Sequence, residues 1–223
     1  MSVHNLAGVR LELPDWLQGT AIEEKILAGE YEGSEAHAAR QRIRPGMRVL
    51  EIGAGLGFVS AICAQTAGAE NVISVEANPQ MLAPLQNNLN QNELGEVKVI
   101  HGAVVGDAYR DLVVNFRAGA LFWGGSVLDE GQSHTDMVSV PALPIGALLE
   151  MHRPRFVMLD VEGGEAALFS TPWPKYVRFV VLELHPRKYA PATVKQIVDC
   201  MSASGLTYDP VSSRGRTLGF MRA

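Results

Sequence analysis

Two spacings of apolar residues divide this chain, and their alternation predicts its elements. Short apolar runs bounded by turn residues occur at Met47–Ile52, Val72–Glu76, Val97–His101, Phe156–Asp160 and Phe179–Leu184, the pattern of buried strands. Between them, apolar residues recur every three or four positions. Phe58, Val59, Ile62 and Cys63 mark a helix over about 57–66, and Met81, Leu82, Leu85 and Leu89 mark one over about 79–92. Val194, Ile197, Val198 and Met201 mark a third over 191–203, with Gly205 just past its end. Asn78 is placed to cap the second helix and Pro79 suits its first position. Pro84 in the same helix predicts a kink, or a regular part that starts near Ala83. Shorter helices are expected at 145–150 and at about 164–169.

Elsewhere the pattern is less regular. Residues 1–20 are mixed, with a turn signal at Pro14-Asp15-Trp16, and residues 20–42 read as one or two helices interrupted near Gly29–Gly33. Residues 103–140 break the strand–helix alternation and read as an insertion carrying an antiparallel hairpin. Leu206-Thr207-Tyr208 and Thr217–Met221 predict a closing hairpin. The expected fold is α/β: a single doubly wound, mostly parallel sheet with an antiparallel C-terminal end and an inserted hairpin region. A helical segment, 1–45, is expected to precede the Rossmann-like domain, 46–223.

The first chemical signal lies where the first strand ends. Glu51-Ile52-Gly53-Ala54-Gly55-Leu56-Gly57 places glycines at alternate positions between strand and helix, so a ligand can lie against bare backbone. The spacing is not Gly-x-Gly-x-x-Gly, because the third glycine comes one residue early and Phe58 stands where the fingerprint needs it. Glu51 beside the loop would repel a pyrophosphate and suit a ligand carrying an ammonium and a sulfonium. S-adenosylmethionine is such a ligand. Glu76, at the end of the next strand, stands where an acid holds the ribose hydroxyls in nucleoside-binding α/β folds.

Composition narrows the partners. The chain has 223 residues, 47% hydrophobic and 19% charged, with a formal net charge of −5; it supports one sizeable core and argues against a nucleic-acid partner. Cys63 and Cys200, both in helical patterns, read as buried thiols of a reducing compartment rather than a disulfide. The first thirty residues lack a basic start followed by an apolar core, and no apolar run is long enough for a membrane span. A cytoplasmic protein without membrane insertion is expected.

The second signal is Phe156-Val157-Met158-Leu159-Asp160-Val161-Glu162-Gly163-Gly164-Glu165. An apolar strand delivers Asp160 to the edge where open α/β sheets bind ligands. Carboxylates this close need compensation from a sulfonium, a metal or a helix N-terminus. The next strand ends Glu183-Leu184-His185, so Glu183 and His185 are candidates for the same cleft, with His185 a candidate general base.

The segment Leu159–Glu165 resembles the signature of the FkbM-type methyltransferases, a family of class I S-adenosylmethionine-dependent enzymes. The resemblance extends to Glu51–Gly57, to Glu76-Ala77-Asn78-Pro79 with the asparagine-rich helix after it, and to Val181–His185. Leu56 stands where the family often has Asn. The resemblance implies S-adenosylmethionine as cofactor and methyl transfer to a hydroxyl of a small molecule, glycan or lipid-linked precursor.

On that basis Glu51, Gly53, Ala54, Gly55, Gly57, Glu76, Ala77, Gly102, Ala103 and Asp160 are expected around the cofactor. Asp160, Glu162 and His185 are expected around the reacting centre, and no metal is assigned. Two other readings stay open: a nitrogen-directed or Mg²⁺-assisted transferase in which Asp160 and Glu162 hold the ion, and a nucleoside-binding module without chemistry. Phe122-Trp123-Gly124-Gly125 could line an acceptor pocket or simply pack within the insertion.

Overall fold

Five parallel strands form the centre of the molecule, and each begins or ends within a residue or two of the run that predicted it. They are β3 (Val49–Ile52), β4 (Val72–Glu76), β5 (Lys98–His101), β9 (Phe156–Leu159) and β10 (Phe179–Glu183). The computed structural model describes residues 2–117, 137–161 and 163–222. The sheet order is β11-β12-β10-β9-β3-β4-β5. Here β11 (Leu206–Tyr208) and β12 (Thr217–Arg222) form the closing hairpin, with β12 antiparallel to β10. The doubly wound sheet with an antiparallel end is therefore present.

Helices cover both faces. On one, α2 (Gly33–Arg42), α3 (Phe58–Ala67) and α4 (Pro79–Gln91) enclose a core that includes Ala39, Val59, Ile62, Leu85 and Leu89. On the other, α5 (Ile145–His152), α6 (Glu165–Leu168) and α7 (Pro191–Ala203) enclose Leu148, Leu168, Ile197 and Met201. Cys63 and Cys200 are buried on opposite faces and are not joined.

The N-terminal segment departs from its helical expectation. It opens with a hairpin, β1 (Ser2–Leu6) and β2 (Val9–Leu13), before α1 (Ala21–Ala28) and α2. Val9, Leu11 and Leu13 are buried while Arg10 is exposed, a strand alternation that the sequence carried. Ala7 (φ 51°) and Gly8 (φ 87°) form the turn in the left-handed conformation that two-residue hairpin loops require. The hairpin edge is held by α4: Asn88 Oδ1 accepts from Glu12 N at 2.7 Å, and Asn92 Oδ1 from Arg10 N at 2.9 Å. Asn88 thus takes a buried place on the helix face, while Leu82 is only half-buried.

Pro84 does not delay α4, which runs unbroken over Pro79–Gln91 with Asn78 capping it. In the 103–140 region, β7 (Val113–Arg117) and β8 (Met137–Pro144) pair antiparallel, as expected. β6 (Ala103–Val105) joins β8 in parallel to make a small separate sheet. Phe122–Gly125 lies outside the described residues, as does Glu162. Among the described residues no helix is long and apolar enough to cross a membrane.

Candidate functional site

The carboxyl ends of β3, β4, β9 and β10 open into one cavity of about 930 Å³. The α1–α2 connection, Gly29–Gly33, covers it from one side, and Arg214 and Arg216 of the C-terminal hairpin flank it from another. Ligands of open α/β sheets bind at this edge because the strand ends and loops converge there with unpaired polar groups.

Gly53 and Gly55 line the cavity, as do Glu76, Ala77, Gly102 and Ala103. Gly53 has φ +90°, and a Cβ there would stand 1.9 Å from the Asp160 carbonyl oxygen. Its N–H donates to Val75 O at 2.9 Å, which ties the loop to β4. Glu76 is 7% exposed. Its Oε2 accepts from Gly55 N at 2.8 Å and its Oε1 from Asn78 N at 2.7 Å. Burial pushes this carboxyl above its usual range, against the opposing pull of those backbone donors. A carboxylate oxygen accepts more than one hydrogen bond, so Glu76 can anchor the loop and still receive hydroxyls from the cavity.

The other residues of the loop sit differently. Gly57 starts α3 with φ +83°, and a Cβ there would meet Leu85 Cδ1 at 2.6 Å. That glycine serves the packing of α3 on α4 and does not line the cavity. Ala54 is fully buried in the apolar core, with its N–H on Val75 O. Glu51 is 2% exposed and also lies outside the lining, because its carboxylate accepts from Ser60 Oγ and from Ser74 Oγ, the latter at 2.7 Å. Burial raises the Glu51 carboxyl to about 7, even though both serines favour its charged form.

Asp160 and His185 meet at the ends of adjacent strands, and Glu165, to which the sequence assigned no site role, joins them. Glu165, the first residue of α6, is fully buried. Its Oε1 stands 2.8 Å from His185 Nδ1. His185 Nε2 faces Asp160 Oδ1 at 3.5 Å and Glu183 Oε2 at 3.9 Å. The backbone N–H of His185 donates to Tyr189 Oη at 2.7 Å, which fixes the turn that carries the ring. Register explains the convergence: Leu159 pairs with Leu182, so Asp160 and Glu183 follow side by side at the ends of adjacent strands.

Sequence reasoning passed over the acidic residues of the α1–α2 connection. Glu32 lines the cavity from a left-handed conformation (φ 46°, ψ 33°) that is costly for a side-chain-bearing residue. Burial, with Glu51, Asp160 and Glu35 nearby, pushes its carboxyl well above the ordinary range. The signal available in the sequence was Gly29-Glu30-Tyr31-Glu32-Gly33, an acidic turn flanked by glycines. The cavity floor is therefore rich in carboxyl groups that a cationic ligand would stabilise.

Residues 36–108 match the family model for protein-L-isoaspartate(D-aspartate) O-methyltransferase. That span runs from α2 through the glycine loop and Glu76 to just beyond β6, so it holds the glycine-loop side of the cavity and omits Asp160, Glu183 and His185. The chain is also 38% identical over 61 residues to a protein-L-isoaspartate O-methyltransferase of Methanococcoides burtonii, spanning 27% of this chain and 30% of that protein.

Among solved structures it is similar to a precorrin-6y C5,15-methyltransferase from Geobacter metallireducens (14% identity, TM-score 0.49, 86% of this chain and 88% of the other). It is also similar to a SAM-dependent O-methyltransferase from Thermotoga maritima (13% identity, TM-score 0.45, 100% of this chain and 77% of the other). The strand order described above, rather than these distant likenesses, establishes the fold.

Proposed function

We propose that this chain is an S-adenosylmethionine-dependent methyltransferase acting on an oxygen acceptor, with a hydroxyl of a small molecule, glycan or lipid-linked precursor as the substrate class. The observation that carries this reading is the pairing of Glu76 with the glycine loop, within the residues matched by a methyltransferase family model. Glu76 would hold the cofactor's ribose, and the carboxyl groups of Glu32 and Asp160 would face its ammonium and sulfonium. A neutral or anionic nucleotide would leave those groups uncompensated.

When bound, the cofactor would supply a methyl group on a sulfonium, with the neutral thioether as leaving group when the acceptor oxygen bonds to the methyl carbon. Asp160, His185 and Glu165 stand together where the hydroxyl proton would leave. Holding oxygen, carbon and sulfur in line contributes up to about 7–11 kcal/mol. The FkbM-type resemblance belongs to this proposal, because its Leu159–Glu165 and Val181–His185 segments supply that group.

The family match favours a second acceptor, a protein carboxylate of the isoaspartyl kind. A carboxylate is already ionised at neutral pH and needs no base. The buried Glu165–His185 pair is suited to a hydroxyl instead, and the matched residues stop short of it.

A screen with isotopically labelled methyl donor tests the assignment, using polyols, glycans, lipid-linked sugars and an isoaspartyl peptide. Label on a hydroxyl supports it, and label confined to the isoaspartyl peptide selects the second acceptor. Calorimetry showing no binding of S-adenosylmethionine or its demethylated product rejects both.

A further inference from the structure

The atoms at the ends of β9 and β10 form a ligand set. One atom each from Asp160, Glu183 and His185 lies within 4.8 Å of the other two. The separations from His185 Nε2 are 3.5 Å to Asp160 Oδ1 and 3.9 Å to Glu183 Oε2. They come close to the spacing of neighbouring ligands around a single ion: bonds of about 2.0–2.2 Å put tetrahedral ligands about 3.5 Å apart.

Glu165 decides which face of the imidazole is presented. Its Oε1 receives the Nδ1 proton at 2.8 Å, so the lone pair of the neutral ring is on Nε2, turned toward Asp160 and Glu183. A neutral imidazole oriented in this way offers Nε2 as a ligand atom beside the two carboxylates. The second oxygen of Glu165 points to the same conclusion independently. Glu165 is fully buried and its Oε2 has no hydrogen-bond partner among the described residues. A buried carboxylate with one bare oxygen is costly, and the cost is offset when the imidazole it holds is drawn positive by bonding to a cation. Carboxylate–histidine–metal arrangements have this form. On the other side, Arg216 binds Glu183 Oε1 at 2.6 Å, and Oε2 is the oxygen that faces His185.

We propose that Asp160, Glu183 and His185 bind one divalent cation of the Mn²⁺ or Zn²⁺ kind, with Glu165 positioning the imidazole. One nitrogen and two carboxylate ligands suit these ions better than Mg²⁺, which prefers an all-oxygen octahedral shell. Three protein ligands leave coordination positions open to the cavity. Resting on the methyltransferase reading, an ion held there would acidify an acceptor hydroxyl, which would lose its proton to water, so the Asp160–His185–Glu165 group would act by holding the ion rather than by accepting the proton on His185.

The test uses the whole chain, stripped with chelator and dialysed. Mn²⁺ is titrated by calorimetry, and the loss of the free-ion paramagnetic resonance signal counts the bound ion. The expected result is one Mn²⁺ per chain, displaced by Zn²⁺ and not by equimolar Mg²⁺. Glu183→Gln is expected to weaken Mn²⁺ binding at least tenfold, and Glu165→Gln about tenfold or more through loss of ring orientation. Circular dichroism establishes that each variant is folded.

S-adenosylmethionine binding is measured on the same preparations. Wild-type protein that binds S-adenosylmethionine but neither Mn²⁺ nor Zn²⁺ overturns the metal site and makes a protonated His185 the cation of the cluster. Equal Mn²⁺ affinity in wild type and folded Glu183→Gln also overturns it. Stoichiometric Mn²⁺ binding without S-adenosylmethionine binding upholds the metal site and overturns the transferase reading.

Discussion

The carbonyl oxygen of Asp160 occupies the space where any side chain on Gly53 would begin, 1.9 Å from an ideal Cβ. Asp160 N also donates to Ile52 O at 2.9 Å, so the loop after β3 and the end of β9 are one backbone unit. Gly53→Ala is expected to displace both loops and abolish cofactor binding. Its stability cost exceeds the roughly 1 kcal/mol of a left-handed glycine replaced in open space. Gly215→Ala supplies that reference, because Gly215 has φ +60° with nothing within 4 Å of its Cβ position. Urea unfolding of the two variants, with calorimetric titration of S-adenosylmethionine, checks both statements.

Glu76→Ala is expected to weaken S-adenosylmethionine binding and also to destabilise the fold. Weakened binding follows from the ribose-holding role expected of Glu76. The structure adds the backbone donors of Gly55 and Asn78, which lose their acceptor in the variant. Stranded buried donors cost about 1–3 kcal/mol each. The measurement is cofactor affinity together with the urea midpoint; an unchanged affinity removes Glu76 from the site.

Glu51 predicts a pH dependence of stability. Its folded-state pKa is about 7 against an ordinary 4.5. Between those values the native state binds more protons than the unfolded chain, so stability falls as pH rises from 4.5 to 7 and levels off above that. The linked loss is on the order of 3 kcal/mol at about 1.4 kcal/mol per pKa unit. Glu51→Gln removes this slope while keeping an acceptor for Ser60 and Ser74. Unfolding midpoints at pH 5 and pH 8 for both proteins measure it, and equal slopes reject the assignment.

Asp160→Asn is expected to reduce turnover far more than S-adenosylmethionine affinity. The side chain stands beside His185, and on the proposed reading that is the reacting end of the cavity, whereas Glu76 would serve the ribose end. Steady-state kinetics beside calorimetry separates the two quantities; equal losses in both make Asp160 a binding residue.

Several features were legible because one short segment encodes them. The apolar runs that became β3, β4, β9 and β10 needed only local composition, and so did the cap of α4 at Asn78. Gly53 and Gly55 stood out because alternate glycines between strand and helix have few other uses. The N-terminal hairpin was equally local, in the alternation of Val9, Leu11 and Leu13, and was lost by weighting the helix-favouring residues that follow. Pro84 predicts a kink in α4 or a regular part that starts near Ala83, but the helix already runs from Pro79 because its apolar face is packed against the core.

Strand ends, glycine turns and the acid at Glu76 follow from neighbours in the chain, and so the amino-acid order alone determined them. Which groups share a cavity is different. Glu165 reaches His185 across 20 positions, and Glu51 turns to Ser60 and Ser74 rather than to the cavity. Gly57 yields its space to Leu85. These outcomes depend on strand order, on the register that sets Leu159 beside Leu182, and on which face of the sheet each side chain meets. Only tertiary packing decides those, because residue type fixes what a side chain can bind and not what stands opposite it.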